Sequence, residues 1–247
     1  MALSTSAQLS FRSRLVEGRD SVPAVPEAGD YVVIDVTHFS TTVAELLALG
    51  AEYVHITDER GDEFAYRERH PDALIGGSKT DEYDPEEGYD FFNSPSYAHT
   101  LSVEGRPTSM TSKNGGTAVA RLRRRGGDDV EVFVGGYTNA AAIADYLRGR
   151  DRETFLVSCG SGGVSTMDDL LGAVVIDRYL REEPLGDAER EHFAKLLETS
   201  KGHDYAEKHE TRQRDLYEFA TDINRRSVVP KLEGDRLIDA SASDRDE

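Results

Sequence analysis

The chain has 247 residues, of which 38% are hydrophobic and 31% charged, and it carries 47 acidic against 29 basic side chains for a net charge of -18. That length and balance are those of a folded soluble protein built as one large α/β domain, and no apolar run approaches the roughly 20 residues needed to cross a bilayer. The negative field repels nucleic acid, so neither nucleic acid nor a membrane is an expected partner.

Only six of the 29 basic residues are lysine. An acidic surface poor in lysine suits concentrated salt, where screening removes self-repulsion, so a halophilic habitat is expected. Met1 to Ser21 contains Arg12, Arg14 and Arg19 but no apolar signal core, which points to the cytoplasm. The single Cys159 forms no internal disulfide and reads as a small residue packed at a strand end. Homo-oligomerisation is left open.

In chain order, residues 1–28 are polar with Pro23 and Pro26 and read as an N-terminal arm. Tyr31 to Val36 is a β-rich run, after which Ser40-Thr41-Thr42 precede a helix over Val43 to Leu49 that stops at Gly50. Glu52 to Thr57 reads as a second strand, the charged stretch to His70 as a surface helix, and Ala73-Leu74-Ile75 as a strand entering Gly76-Gly77-Ser78-Lys79. Thr80 to Gly88 is an acidic surface loop able to serve as a lid, and Ser94-Pro95 reads as a cap and first helical residue.

Thr108 to Thr111 then forms a strand entering Asn114-Gly115-Gly116, with a helix over Thr117 to Arg125 whose arginines complement the dipole at its C-terminus. Glu131 to Val134 and Thr154 to Ser158 are strands, and Ala140 to Leu147 a helix between them. Asp168 and Asp169 open a helix over Leu170 to Leu180, helices dominate from Asp187 to Arg226, and residues 240–247 are a Ser/Asp-rich tail expected to fray. Alternation of strand and helix predicts a largely parallel sheet in a three-layer α/β/α arrangement.

Polar glycine turns after the strands, including Cys159-Gly160-Ser161-Gly162-Gly163, let backbone N–H groups approach an anion at one crevice. Asp35, at a strand end, is placed as a metal ligand or base, or else caps the turn that follows; Asp169 offers a second carboxylate, or only caps its helix. Ser40, Thr41 and Thr42 would grip an anion at a helix N-terminus besides capping it. Lys113, Asn114 and Gly115 form a further anion turn or a plain one; Asn93, Ser94, Asn139 and Gly160 are candidates of the same kind. His38 is suited to donate to an anion or move a proton, or is an ordinary turn histidine. Lys79 is an anion-holding point charge or a solvated lysine.

In their order, several segments resemble the 2-phosphosulfolactate phosphatase family, the ComB-like phosphatases, over roughly Asp30 to Gly234. Asp35-Val36 with Ser40-Thr41-Thr42 resembles the family's Asp-Val-Leu-Arg-Ala-Thr-Thr-Thr, Asn93-Ser94-Pro95 its Gly-Asn-Ser-Pro, and Asn114-Gly115 its Thr-Thr-Asn-Gly-Thr. Gly135 to Ala140 resembles Gly-Ser-Phe-Leu-Asn-Ala, and Met167-Asp168-Asp169-Leu170-Leu171 resembles Leu-Glu-Asp-Leu-Leu. The resemblance implies an α/β fold and magnesium-dependent release of phosphate from 2-phospho-3-sulfolactate on a route to coenzyme M, with Mg2+ on Asp35 and Asp169.

His38 stands in place of the family's arginine, Gly77-Ser78-Lys79 in place of Gly-Glu-Arg, Phe92 in place of a glycine, and Lys113 and Gly116 in place of threonines. Losing two arginine forks changes how an anion is held. The expected activity is therefore hydrolysis of that phosphoester or a related one, and the alternative is a non-catalytic protein that binds a phosphometabolite on the same fold.

Overall fold

The computed structural model describes residues 5–201, 205 and 207–241. Ten strands form one sheet, and helices pack on both of its faces. The strands are β1 (Leu15–Glu17), β2 (Gly29–Ile34), β3 (Tyr53–Ile56), β4 (Leu74–Gly77), β5 (Phe91–Phe92), β6 (Pro107–Met110), β7 (Val130–Gly135), β8 (Thr154–Ser158), β9 (Pro230–Glu233) and β10 (Arg236–Asp239). The α-helices are α1 (Thr5–Arg14), α2 (Thr41–Ala48), α3 (Asp62–Arg69), α4 (Pro95–Ala98), α5 (Gly115–Arg125), α6 (Ala140–Arg148), α7 (Met167–Leu180), α8 (Asp187–Ser200) and α9 (Glu210–Arg214).

The sheet order is β1-β8-β2-β7-β9-β10-β3-β6-β4-β5. Two parallel blocks, β1-β8-β2-β7 and β3-β6-β4-β5, are joined by the antiparallel β9-β10 hairpin. The period of two along β2 divides the core: Tyr31 and Val33 face one side with Val43 and Leu46 of α2 and Leu122 of α5, whereas Val32 and Ile34 face the other with Ile143 of α6 and Ile176 of α7. The result is the three-layer α/β/α arrangement that strand–helix alternation predicts.

Two regions differ from the sequence reading. Within the stretch read as an arm, β1 pairs with β8, and the Gly18 and Arg19 N–H groups continue the ladder onto the Ser158 and Cys159 carbonyls at 2.8 and 3.1 Å. The hairpin, which the sequence reading did not anticipate, takes a central place in the sheet. Its two-residue turn uses Gly234 at φ 62°, a left-handed conformation that glycine adopts without cost. At the chain's end Ala240 is buried and Ser241 donates to Asp239, while 242–247, the rest of the expected tail, lie outside the described residues.

Candidate active site

Asp35 follows β2 immediately and lines a cleft of about 330 Å³. A π-helical turn over Val36–Ser40 comes next, closed by the Ser40 N–H donating to the Asp35 carbonyl at 2.9 Å. Asp35 Oδ2 accepts the Gly115 N–H at 2.9 Å, at the first residue of α5, and the Ser112 hydroxyl at 3.5 Å. Burial drives the Asp35 pKa up to about 6; the Asp168 carboxylate adds to the rise, while the Gly115 N–H, Lys201 and Ser112 oppose it. Glycine is required at 115, because a Cβ there would lie 2.2 Å from the ring of the fully buried Phe39.

Asp169 sits behind Asp35 and has a structural task. Its two oxygens accept the Val36 and Gly160 N–H groups at 2.8 and 2.7 Å, tying the turn after β2 to the turn after β8. Burial, Asp35 and Asp168 together raise its pKa well above the ordinary carboxylate range. Asp168 accepts Thr37 Oγ1 at 2.9 Å and pairs with Lys201, and despite its burial that lysine holds its pKa low.

The expected anion grip by Ser40, Thr41 and Thr42 is not what the geometry presents. All three are fully buried, with Ser40 Oγ taking the Asp35 N–H at 3.0 Å and Thr41 Oγ1 donating to the Val36 carbonyl at 2.6 Å. Thr42 Oγ1 is buried with no partner among the described residues. Asn139 is likewise internal: it accepts the Gly136 N–H and donates to the Val134 and Val228 carbonyls. Gly160 serves through its N–H to Asp169, and Ser94 caps α4 while donating to Asp215 at 2.6 Å.

His38, Lys79, Asn93, Lys113 and Asn114 do line the cleft with Asp35. Asn93 lines the hollow, and its Oδ1 is a buried acceptor with no donor among the described residues. Lys79 Nζ lies 3.6 Å above the Tyr83 ring, and Tyr83, at φ 66°, stacks on His209 at 4.5 Å. The acidic loop is thereby folded back, with Lys79 bridging to Pro85 and Glu86 reaching the cleft wall.

His38 is held as a neutral ring. Arg212 Nη1 donates to its Nδ1 at 3.2 Å, so the proton resides on Nε2, which meets the Tyr205 hydroxyl at 2.8 Å. Burial, then the Arg212 and Lys201 charges, push its pKa well below the usual value. This makes His38 an acceptor that positions a guanidinium; a proton carrier near neutral pH would need the opposite shift.

Three further contributors escaped the sequence reading: Arg60, which donates to Ser78 at 2.8 Å, Glu86, and Arg212 from α9. Arg19, in the segment after β1, donates to the Lys113 carbonyl and to Asn114 Oδ1, so the N-terminal stretch braces the same turn. Arg60, Lys79, Lys113 and Arg212 oppose Asp35 and Glu86 in the cleft wall. A locally positive hollow on a strongly negative chain focuses small anions there.

Mg2+ requires only one or two carboxylates when waters and substrate oxygens complete its octahedron. Among the described residues, no group of three or more His, Cys, Asp or Glu side chains is placed to hold a metal. Among the described residues Asp35 commits only Oδ2 to hydrogen bonds, whereas both oxygens of Asp169 are taken by backbone. The donor set therefore fits Mg2+ on Asp35 with substrate oxygens, not a cage of protein carboxylates.

Known proteins are similar to this chain in sequence. The chain is 28% identical over 159 residues to a probable 2-phosphosulfolactate phosphatase of Thermotoga petrophila, covering 64% of this chain and 66% of that one. It is 29% identical over 152 residues to one of Carboxydothermus hydrogenoformans, covering 62% and 60%, and 32% identical over 169 residues to one of Deinococcus radiodurans, covering 68% of each. The matched stretch thus spans about two thirds of the length of these curated relatives. The family model for 2-phosphosulpholactate phosphatase matches residues 19–234, which include Arg19 and the hairpin up to its turn, and the chain belongs to that family.

Proposed function

We propose that the chain is a phosphatase that hydrolyses a small acidic phosphate monoester, 2-phospho-3-sulfolactate or a close relative, to the hydroxy acid and phosphate. The observation that carries this reading is Asp35, with one oxygen unpaired among the described residues, at the end of β2 in a hollow where Arg60, Lys79, Lys113 and Arg212 outnumber Asp35 and Glu86. Asp35 is the residue that would hold Mg2+, which when bound supplies neutralisation of the charge developing on the phosphoryl oxygens.

The protein's own groups do the rest. The Gly115 N–H fixes Asp35 through Oδ2 and so aims Oδ1 into the cleft. Lys79 and Lys113 offer point charges for nonbridging phosphate oxygens, and the Arg19 contacts keep the Lys113-Asn114 turn from shifting as substrate enters. Asn93 Oδ1, lacking a donor, accepts a substrate hydroxyl or an ordered water.

Purified protein, assayed with Mg2+ in dilute buffer and in molar KCl, should release phosphate from 2-phospho-3-sulfolactate. Chelation should stop the reaction, and added Mg2+ should restore it. Thermal stabilisation by the phosphoester without any phosphate release would replace the phosphatase with a binding protein.

A further inference from the structure

Among the described residues, Arg212 is the cleft cation with three acceptors on one nitrogen, one of them the fully buried Asp215. Its Nη1 donates to the Asn93 carbonyl at 2.8 Å, Asp215 Oδ2 at 3.0 Å and His38 Nδ1 at 3.2 Å. Asp215 is fully buried, and its other oxygen accepts the Ser94 and Ser96 hydroxyls, each at 2.6 Å. The guanidinium also lies 5.5 Å from the Phe92 ring centre and 5.6 Å from that of Tyr83. Nε and Nη2 have no partner among the described residues, and Arg212 lines the cleft.

One edge of the guanidinium is thus saturated and the other is presented, already ordered, to the space in front of Asp35. A planar two-pronged donor of this kind matches a carboxylate or sulfonate, and pre-ordering removes most of the entropic cost of using it. Asp35, Ser112 and Gly115 lie together at the α5 end of the hollow, and Arg212 is bonded to the segments that follow β2 and β5. The reacting phosphate and the arginine fork therefore have different walls.

We infer that Arg212 binds the second acid group of the substrate, a carboxylate or sulfonate, and that His38 and Asp215 are positioning residues which hold its guanidinium in place. This rests on the phosphatase reading for the identity of the first group, but the binding claim can be tested without turnover. His38 acts as an acceptor in this assignment, so any residue with an acceptor of similar reach should serve in its stead.

The test compares an acid-bearing phosphoester, 2-phospho-3-sulfolactate, with phenyl phosphate, which has no second acid. Arg212→Gln should raise KM for the first by about 10- to 100-fold, the worth of a charge-assisted pair, while kcat/KM for phenyl phosphate changes by less than about threefold. Arg212→Lys keeps the ion pair to Asp215 and hence the fold, yet should recover little of the lost affinity. His38→Leu should raise the same KM, and His38→Gln should restore it.

Thermal shift by 3-sulfolactate gives the independent readout: it should stabilise the wild type and fail to stabilise Arg212→Lys. If the wild type hydrolyses neither ester but shows this pattern, the inference stands and the hydrolase reading falls. Equal losses on both esters, or stabilisation of Arg212→Lys to the wild-type extent, would overturn it.

Discussion

Two clefts in this protein have nearly the same ingredients and opposite states. A second hollow of about 450 Å³, lined by His55, Asp58, Asp62, Arg69, Arg123 and Asp235, contains a Ser-His-Asp series: Ser109 Oγ is 2.8 Å from His55 Nδ1, and Asp235 is 3.4 Å from Nε2. Yet Ser109 is sealed inside β6 with no exposed surface, Arg123 is spent on the Ile56 carbonyl and Asp58, and burial holds the His55 pKa down to about 4 despite Asp235. The Asp35 cleft differs in having, among the described residues, no partner for Asp35 Oδ1, Asn93 Oδ1 and one edge of Arg212. Chemistry resides in what the fold leaves unpaired, and residue type alone does not reveal it.

The sharpest way to break this contrast is Asp35→Asn, which keeps an acceptor for the Gly115 N–H and removes the charge. Phosphate release should fall by at least about 100-fold. Gly115→Ala comes next. Its Cβ collides with the buried Phe39 ring, so stability should drop by about 1–3 kcal/mol and kcat by about 10-fold as the N–H that aims Asp35 is displaced.

A pH series separates the two carboxyl states of Asp35. Unfolded, the group releases its proton near the ordinary value of 3.8; folded, it keeps it to about pH 6, so the native state holds more protons in between and its stability from this group falls as pH rises through that window. Asp35→Asn should match the wild type near pH 4 and exceed it above pH 6 by up to roughly 3 kcal/mol, a gain of several degrees in Tm. A gap that stays constant with pH would mean that Asp35 is not destabilised in the fold. The smallest effect belongs to the closed cleft: Ser109→Ala should cost about 1 kcal/mol and leave turnover within about twofold, and a large loss of activity would show that this second hollow takes part.

The parallel βα units were legible because each is local: an apolar run, a polar glycine turn, then a helix, as in Thr108 to Arg125 and Thr154 to Leu180. Asp35, Lys113 and Asn114 were legible for the same reason, since strand-end turns of a parallel sheet share one edge. Ser40, Thr41 and Thr42 misled because hydroxyls at a helix start look alike whether they face a ligand or the backbone; the π-helical turn over Val36–Ser40, with no periodic signature, ends on Ser40 and leads Thr41 and Thr42 into the interior. Arg212 gave no signal at all. Its meaning arises from contact with His38 and Asn93, residues 174 and 119 positions earlier.

The β9-β10 hairpin was hidden in a short stretch opened by Pro230, a residue that fits only the start or edge of a strand. Its position has a consequence for how the protein is made. Within the sheet β7 and β3 are bridged only through β9 and β10, so the sheet stays divided until residues 230–239 have left the ribosome, although α2 and α5 already pack on strands of both blocks. Until then each block exposes a bare edge, the kind of surface on which nascent chains stick to one another. Truncation just before Pro230 should therefore yield insoluble product.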